Sequence, residues 1–281
     1  MQRVSLKKPP WINKRINLWL CHSLKRILRE YKLYSVCEET RCPNLSECFS
    51  KGVVTFLILG NICTRNCSFC KIKKGAPLDV DEDEPQRVKE VVKKLNLRYV
   101  VITSPTRDDL EDKGVGIFLK TIKELRTLNN PPKIELLIPD FFAKIELVKK
   151  IVEANPQVIA HNLETVPRLY PQIRKGADYK RSLRVLKIIK ELNPKIYTKS
   201  SLLLGVGERE KEVIEVFKDL RKVGCDFLVL GQYLSPSLNH YLLKEYISPN
   251  KFKLLERQAL QLGFKRVRSS PYMRSSYLNE I

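Results

Sequence analysis

Three cysteines lie within eight residues in Cys63-Thr-Arg-Asn-Cys67-Ser-Phe-Cys70, a C-x3-C-x2-C spacing placed directly after an apolar run ending ILGN. Three thiolates on one short loop can hold three irons of a cubane cluster and leave the fourth iron open, unlike the usual four-cysteine arrangement. An open iron takes its remaining ligand from outside the protein. A zinc loop is the alternative, but zinc ligands usually come as two C-x2-4-C pairs or as cysteine–histidine sets, and no second pair is present.

A second triad, Cys37, Cys42 and Cys48, has C-x4-C-x5-C spacing. It too can hold three irons. Only a short loop and one strand separate the triads, so two clusters could face one cavity. Cys21 and Cys225 lack partners at ligand spacing, and Cys225 reads as a small buried apolar residue. Clustered cysteines in a reducing compartment are metal ligands rather than disulfides.

The rest of the chain must position these loops. From Gly52 onward, apolar runs at 53–60, 98–104, 134–140, 156–162, 195–205 and 226–232 alternate with helical patterns, the signature of repeated β/α units on a parallel sheet. Val213, Val216, Phe217, Leu220 and Val223 line one helix face that Gly224 closes; Val88, Val91, Val92 and Leu95 do the same behind Pro85. Ahead of them, Ile16, Leu20, Leu24, Ile27 and Leu28 fall at helical spacing. Six units are fewer than the eight of a closed barrel, so the predicted fold is α/β, a partial, open (β/α)6 barrel of TIM type. The acidic stretch 73–86 reads as a surface connection.

With 281 residues and 43% hydrophobic content the chain can bury a core without covalent staples. No apolar run is long enough to span a membrane, and the basic N-terminus lacks the apolar region of a secretory signal, so the expected location is the cytoplasm. A formal net charge of +21 attracts anionic partners, although a solvated lysine-rich surface accounts for it as well. Charge alone therefore does not point to nucleic acid.

Several long stretches resemble the lipoyl synthases of the radical S-adenosylmethionine superfamily: KPPWI, VCEETRCPNLSEC, CTRNCSFC, VVITSPTRDDL, IELLIPDF, HNLETVPRLY, TKSSLLLGVGE, LGQYLSPS and RSSY, from about Lys8 to Tyr277. The resemblance implies an N-terminal extension with the auxiliary-cluster loop (1–51), a radical SAM partial barrel (52–264) and a C-terminal extension bearing RSSY (265–281). It implies two [4Fe-4S] clusters: Cys63, Cys67 and Cys70 would hold the radical-generating one, and Cys37, Cys42 and Cys48 the auxiliary one. Ser276, the match to the family's serine ligand, would complete the auxiliary set. An oxygen is a weaker partner than thiolate, which suits an iron released as sulfur is given up.

The implied reaction inserts two sulfurs at C6 and C8 of an octanoyl-lysine, consuming two molecules of S-adenosylmethionine, with the auxiliary cluster as sulfur donor. The implied partners are octanoylated lipoyl domains of 2-oxoacid dehydrogenase E2 subunits, the glycine-cleavage H protein, and a reductant such as ferredoxin or flavodoxin. Barrel active sites lie at the C-terminal ends of strands, where Ser104, Asp140, Asn162, Glu164, Glu208 and Gln232 fall. Ser104, Asn162, Glu164 and Lys199 are assigned to the S-adenosylmethionine pocket, and Phe69 to packing on adenine. His161 and His240 read as structural. Ser201, the DKGV stretch at 112–115 and Phe49 depart from the family pattern without touching a cluster ligand.

Two other functions compete. A tRNA methylthiotransferase also uses two clusters, but spreads its extra cysteines through a separate domain. A two-cluster electron carrier needs four cysteines per cluster and no barrel.

Overall fold

The computed structural model describes residues 6–14 and 17–277. Its main sheet runs through β1 (Tyr34–Ser35) and β2 (Thr55–Leu57). A separate short ladder joins β3 (Ile62–Cys63) to β4 (Lys73–Lys74). The main sheet continues through β5 (Tyr99–Thr103), β6 (Lys133–Leu137), β7 (Val158–Ala160), β8 (Tyr197–Leu204), β9 (Phe227–Gln232) and β10 (Arg266–Ser269). From β2 to β10 every pairing in this sheet is parallel, while β1 pairs antiparallel to β2 at one edge. The edges do not meet, so the sheet is an open barrel.

The six expected runs all carry strands. β10 adds a seventh parallel strand, and it begins the segment expected as a C-terminal extension. Its sequence, RVRS, buries only Val267, too little apolar alternation to announce a strand. Of the residues expected on the first helix, Leu24 and Leu28 are buried on His22–Glu30, and Ile27 packs partly buried against the same core. Ile16 and the side chain of Leu20 lie outside the described residues.

Helices cover the sheet by the apolar stripes the sequence announces. Glu84–Lys94 takes Pro85 in its first turn, where a missing N–H is harmless, and buries Val88, Val91 and Val92. Glu210–Lys222 buries Val213, Val216, Phe217 and Leu220, and Gly224 follows it at φ +77°. None of the described helices is long and apolar enough to cross a membrane.

The acidic connection departs from its surface reading at Glu84. This side chain is buried, and its carboxylate accepts the Leu59 N–H at 2.6 Å. Burial pushes its pKa up from 4.5 to about 7. Because the folded state holds the proton more tightly, the associated stability is fully present below about pH 4.5 and is lost as pH rises through about 7. Glu84→Gln should therefore gain on the parent by roughly 3 kcal/mol between acid and mildly alkaline pH. Urea denaturation at several pH values reads this difference; parallel stability profiles would contradict it.

Candidate active site

The first cysteine loop hangs between β3 and β4 and is tied on three sides. Thr64 N–H donates to Thr106 O (3.0 Å), Ser68 N–H to Ile173 O (2.9 Å) and Tyr241 N–H to Ser68 O (2.8 Å). The Cys63 sulfur accepts the N–H groups of Arg65 (3.4 Å) and Thr106 (3.3 Å).

Arg65, inside the motif, is the strongest tie. Its guanidinium donates two hydrogen bonds to Asp140 (2.7 and 2.8 Å) and two to Asp108 (2.7 and 3.1 Å). Asp140, just beyond β6, also accepts Arg181 Nε at 2.8 Å. Burial alone would raise the Asp140 carboxyl, but the arginines outweigh it and hold it well below the usual carboxylate range. The next three residues, Phe141, Phe142 and Ala143, all have φ between 43° and 54°. Left-handed backbone costs L-residues about 1–2 kcal/mol each, so this turn stands only because its surroundings hold it. The Phe142 ring lies 5.0–5.7 Å from the cationic groups of Arg65, Arg181 and Lys113, a cation–π stack that contributes to that hold.

The second triad sits on short helical turns beside β1 and β2. Ser35 caps the turn Val36–Glu39 that carries Cys37, accepting Glu38 N–H at 3.3 Å. Cys42 N–H donates to Cys37 O (3.0 Å), and Cys48 lies on Leu45–Ser50. The C-terminal segment crosses this region. Asn44 Nδ2 donates to Tyr272 O (2.6 Å), and Arg274 and Tyr277 interact electrostatically with Cys42 and Cys48.

Both triads open onto one cavity of about 540 Å³. Cys37, Cys42, Cys63, Cys67 and Cys70 line it, with Ser276, and so do Phe69, Ser104, Asn162 and Glu164. Cys48 is buried and is not on the wall. Asn162 Nδ2 donates to Glu164 Oε1 (2.9 Å), and burial raises the Glu164 carboxyl. Phe69 both lines the cavity and packs against the hydrophobic core behind it.

Lys199 is placed elsewhere. Its ammonium pairs with the Glu135 carboxylate and donates to Ser275 O (2.8 Å), in a separate small pocket near the N-terminal ends of the strands. That corrects the pocket role expected from its strand. Gln232 and Glu208 are also committed elsewhere: Gln232 bonds the Leu204, Tyr233 and Glu245 carbonyls, and Glu208 accepts the Gly205 and Val206 amides.

Two wall residues, Arg65 and Arg174, escaped the sequence reading. Arg174 donates to Asn162 O (2.8 Å) and Tyr170 OH (3.0 Å) with nothing in its local sequence to announce it. Arg65 and Asp140 meet across 75 positions of sequence. His161 is structural through Nδ1, which bonds Ile138 O at 2.9 Å, while its Nε2 lines the cavity side unpartnered. Burial lowers its pKa to about 4, so the ring is neutral.

The residues suit cationic clusters and a polar ligand. Burial pushes Cys37 up to about 12, and Cys42 and Cys48 add to the rise. Burial likewise pushes Cys70 to about 12, with Cys67 and Cys63 adding to it. Cys37 and Cys70 thus hold their protons until a cation takes the protons' place. Among the described residues no three His, Cys, Asp or Glu side chains converge as a single-ion site would require. Ser104 Oγ and His161 Nε2 are enclosed without hydrogen-bond partners among the described residues, and buried polar atoms are normally paired. Both line the cavity.

Residues 57–220 match the Radical SAM superfamily. A lipoyl synthase of Caldicellulosiruptor saccharolyticus is 53% identical over 275 residues, covering 98% of this chain and 96% of its own. One from Aquifex aeolicus is 53% identical over 256 residues, covering 91% and 93%. Among solved structures, methylornithine synthase (PylB) superposes with a TM-score of 0.55 at 16% identity, covering 80% of this chain and 73% of its own. Streptococcus suis SuiB bound to S-adenosylmethionine gives 0.60 at 11% identity, covering 80% and 53%. These structural likenesses speak to the fold alone.

Proposed function

The chain belongs to the lipoyl synthase family of the radical SAM superfamily, and from that membership we propose that it inserts two sulfur atoms, at C6 and C8, into an octanoyl chain on a carrier lysine. The observation that carries this reading is the meeting of both cysteine triads in one cavity. Cys63, Cys67 and Cys70 would hold one [4Fe-4S] cluster; Cys37, Cys42 and Cys48, with Ser276, would hold the other. When bound, the first cluster with S-adenosylmethionine supplies a 5′-deoxyadenosyl radical able to attack unactivated C–H bonds, and the second supplies sulfur.

The chain's own residues orient and enclose. The Arg65–Asp140 clamp fixes the loop that carries the first three thiolates. Ser104, Asn162 and Glu164 offer hydrogen bonds to the ribose and methionine groups of two successive S-adenosylmethionine molecules, and Phe69 packs on adenine. His161, neutral at working pH, adds one free ring nitrogen. The segment that carries Cys37, Cys42 and Cys48 and the residues after β10 bring the auxiliary ligands to the barrel. The carriers are octanoylated lipoyl domains of 2-oxoacid dehydrogenases and the glycine-cleavage H protein, and the electrons come from ferredoxin or flavodoxin.

Gly231 tests the placement of Ser276. A Cβ added there would stand 2.1 Å from Met273 O and 3.0 Å from Arg274 Nη1, so the C-terminal segment must move. A displacement of about 1 Å can cost roughly 100-fold in rate, and Gly231→Ala should lose sulfur insertion on that order. Steady-state assay of the reconstituted variant checks this; parental rates would remove the argument.

The function itself is tested anaerobically with dithionite, S-adenosylmethionine and an octanoyl-lysyl peptide, followed by mass spectrometry. A gain of two sulfurs is expected. Formation of 5′-deoxyadenosine beside an unchanged peptide would overturn the substrate assignment and make tRNA the next candidate.

A further inference from the structure

We propose that Lys199 is a positioning residue for Ser276, acting through a buried ion pair with Glu135 that seats the C-terminal segment. The inference rests on the ligand role proposed above for Ser276.

Lys199, the third residue of β8, is 6% exposed, and Glu135 on β6 is 2% exposed. Their side chains pair, and the second Glu135 oxygen accepts the Tyr99 hydroxyl at 2.6 Å. Another N–H of the ammonium donates to Ser275 O at 2.8 Å. The Ser275 hydroxyl in turn donates to Asn162 Oδ1 at 3.3 Å, on the cavity wall. Ser275 is thus gripped at both its carbonyl and its hydroxyl. On the other side of Ser276, Arg268 Nη1 donates to Tyr277 O at 3.0 Å, and Tyr277 N–H to Arg274 O at 3.0 Å. Earlier in the segment, Gln232 N–H donates to Pro271 O (3.1 Å), and Gly231 lets the Met273 carbonyl lie directly against β9.

A buried ion pair is a poor device for stability, since well-packed apolar residues do as well. What it offers that they do not is a charged donor of fixed direction. Here that donor ends on the peptide immediately before Ser276. A weak oxygen ligand gains most from such orientation, because it has little affinity of its own with which to draw the segment in.

The test uses the full-length, reconstituted protein in a Cys63→Ala background, so that the auxiliary cluster alone contributes to the spectrum. The parent is compared with Ser276→Ala and with the double variant Lys199→Met/Glu135→Gln, which removes the donor without leaving an unpaired buried carboxylate. Electron paramagnetic resonance of the oxidised protein reads loss of one iron, and hydrogen exchange reads the amides of Ser275, Ser276 and Tyr277. In the double variant the three-iron signal should rise at least fivefold, as in Ser276→Ala. Exchange at these amides should quicken by about tenfold or more, the effect of losing one charged hydrogen bond.

Lys199→Arg, which can still donate, should restore most of both properties. If the methionine pair does not fold, Lys199→Gln/Glu135→Gln keeps a neutral hydrogen-bonded pair whose glutamine is too short for Ser275, and it is read the same way. A parental spectrum and parental exchange in the double variant, with iron lost in Ser276→Ala, would overturn the positioning role. A parental spectrum in Ser276→Ala itself would overturn the ligand assignment and this inference with it.

Discussion

Cys63→Ala should abolish 5′-deoxyadenosine formation, whereas Cys37→Ala should leave that reaction running and stop sulfur insertion. The two triads share a cavity but not a scaffold. Cys63 sits at the end of β3, its sulfur held by the amides of Arg65 and Thr106, and the loop below it is anchored to Thr106 and Ile173. Cys37 sits on a capped turn against β2, anchored through Ser35 and Glu38. Removing one sulfur from either set deletes a ligand without disturbing the other anchor. Loss of radical generation should drop product formation by roughly a million-fold, the lower end of enzymatic rate enhancement. Chromatography of the nucleoside and mass spectrometry of the peptide, on the same samples, separate the two steps. Equal loss of 5′-deoxyadenosine in both variants would mean that the triads do not act independently.

Asp140→Ala should destabilise the chain by about 3–5 kcal/mol, because it strips two guanidinium groups of a fully buried partner. Arg65 keeps Asp108, but Arg181 is left with the Gly176 carbonyl and the Phe142 ring, and the left-handed turn after Asp140 loses the contact that Phe142 N–H makes to its side chain. The damage lies beside Cys63 and Cys67, so less iron should be retained at the first cluster than at the second. Asp140→Asn should cost less, since the amide oxygen can still accept. The sign with pH is set by the depressed carboxyl. Its stabilisation is present above the ordinary carboxylate range and fades as acid protonates it, so parent and Asp140→Asn should converge at low pH. Denaturant titration of both variants measures this. A loss below about 1 kcal/mol for Asp140→Ala would mean that the clamp is solvated and idle.

The elements that could be read from sequence are those whose information is local. Continuous β-branched runs such as VVIT and the Val/Leu stripes of the helices announce themselves, because burial on both sides of a strand and on one side of a helix needs those residue types in that order. β10 did not, because two arginines flank its one buried valine and its partner, β9, supplies the context. The cysteines were legible for the same local reason: type and spacing define the ligand set. The Arg65 clamp was not, since the meaning of an arginine inside the motif depends on carboxylates 43 and 75 positions away. Lys199 shows the other failure. Strand alternation says that a side chain points into the barrel, but not at what height. Two residues from the start of β8, it faces Glu135 rather than the cavity at the strands' far ends.

The most direct test of the whole account follows the sulfur. Protein reconstituted with heavy-isotope sulfide is freed of excess label and given dithionite, S-adenosylmethionine and an octanoyl-lysyl peptide for a single turnover, then analysed by mass spectrometry. The two cysteine triads facing one cavity predict a product carrying two heavy sulfurs, drawn from the cluster at Cys37, Cys42 and Cys48. A product with light sulfur, or a peptide without sulfur beside accumulated 5′-deoxyadenosine, would contradict it.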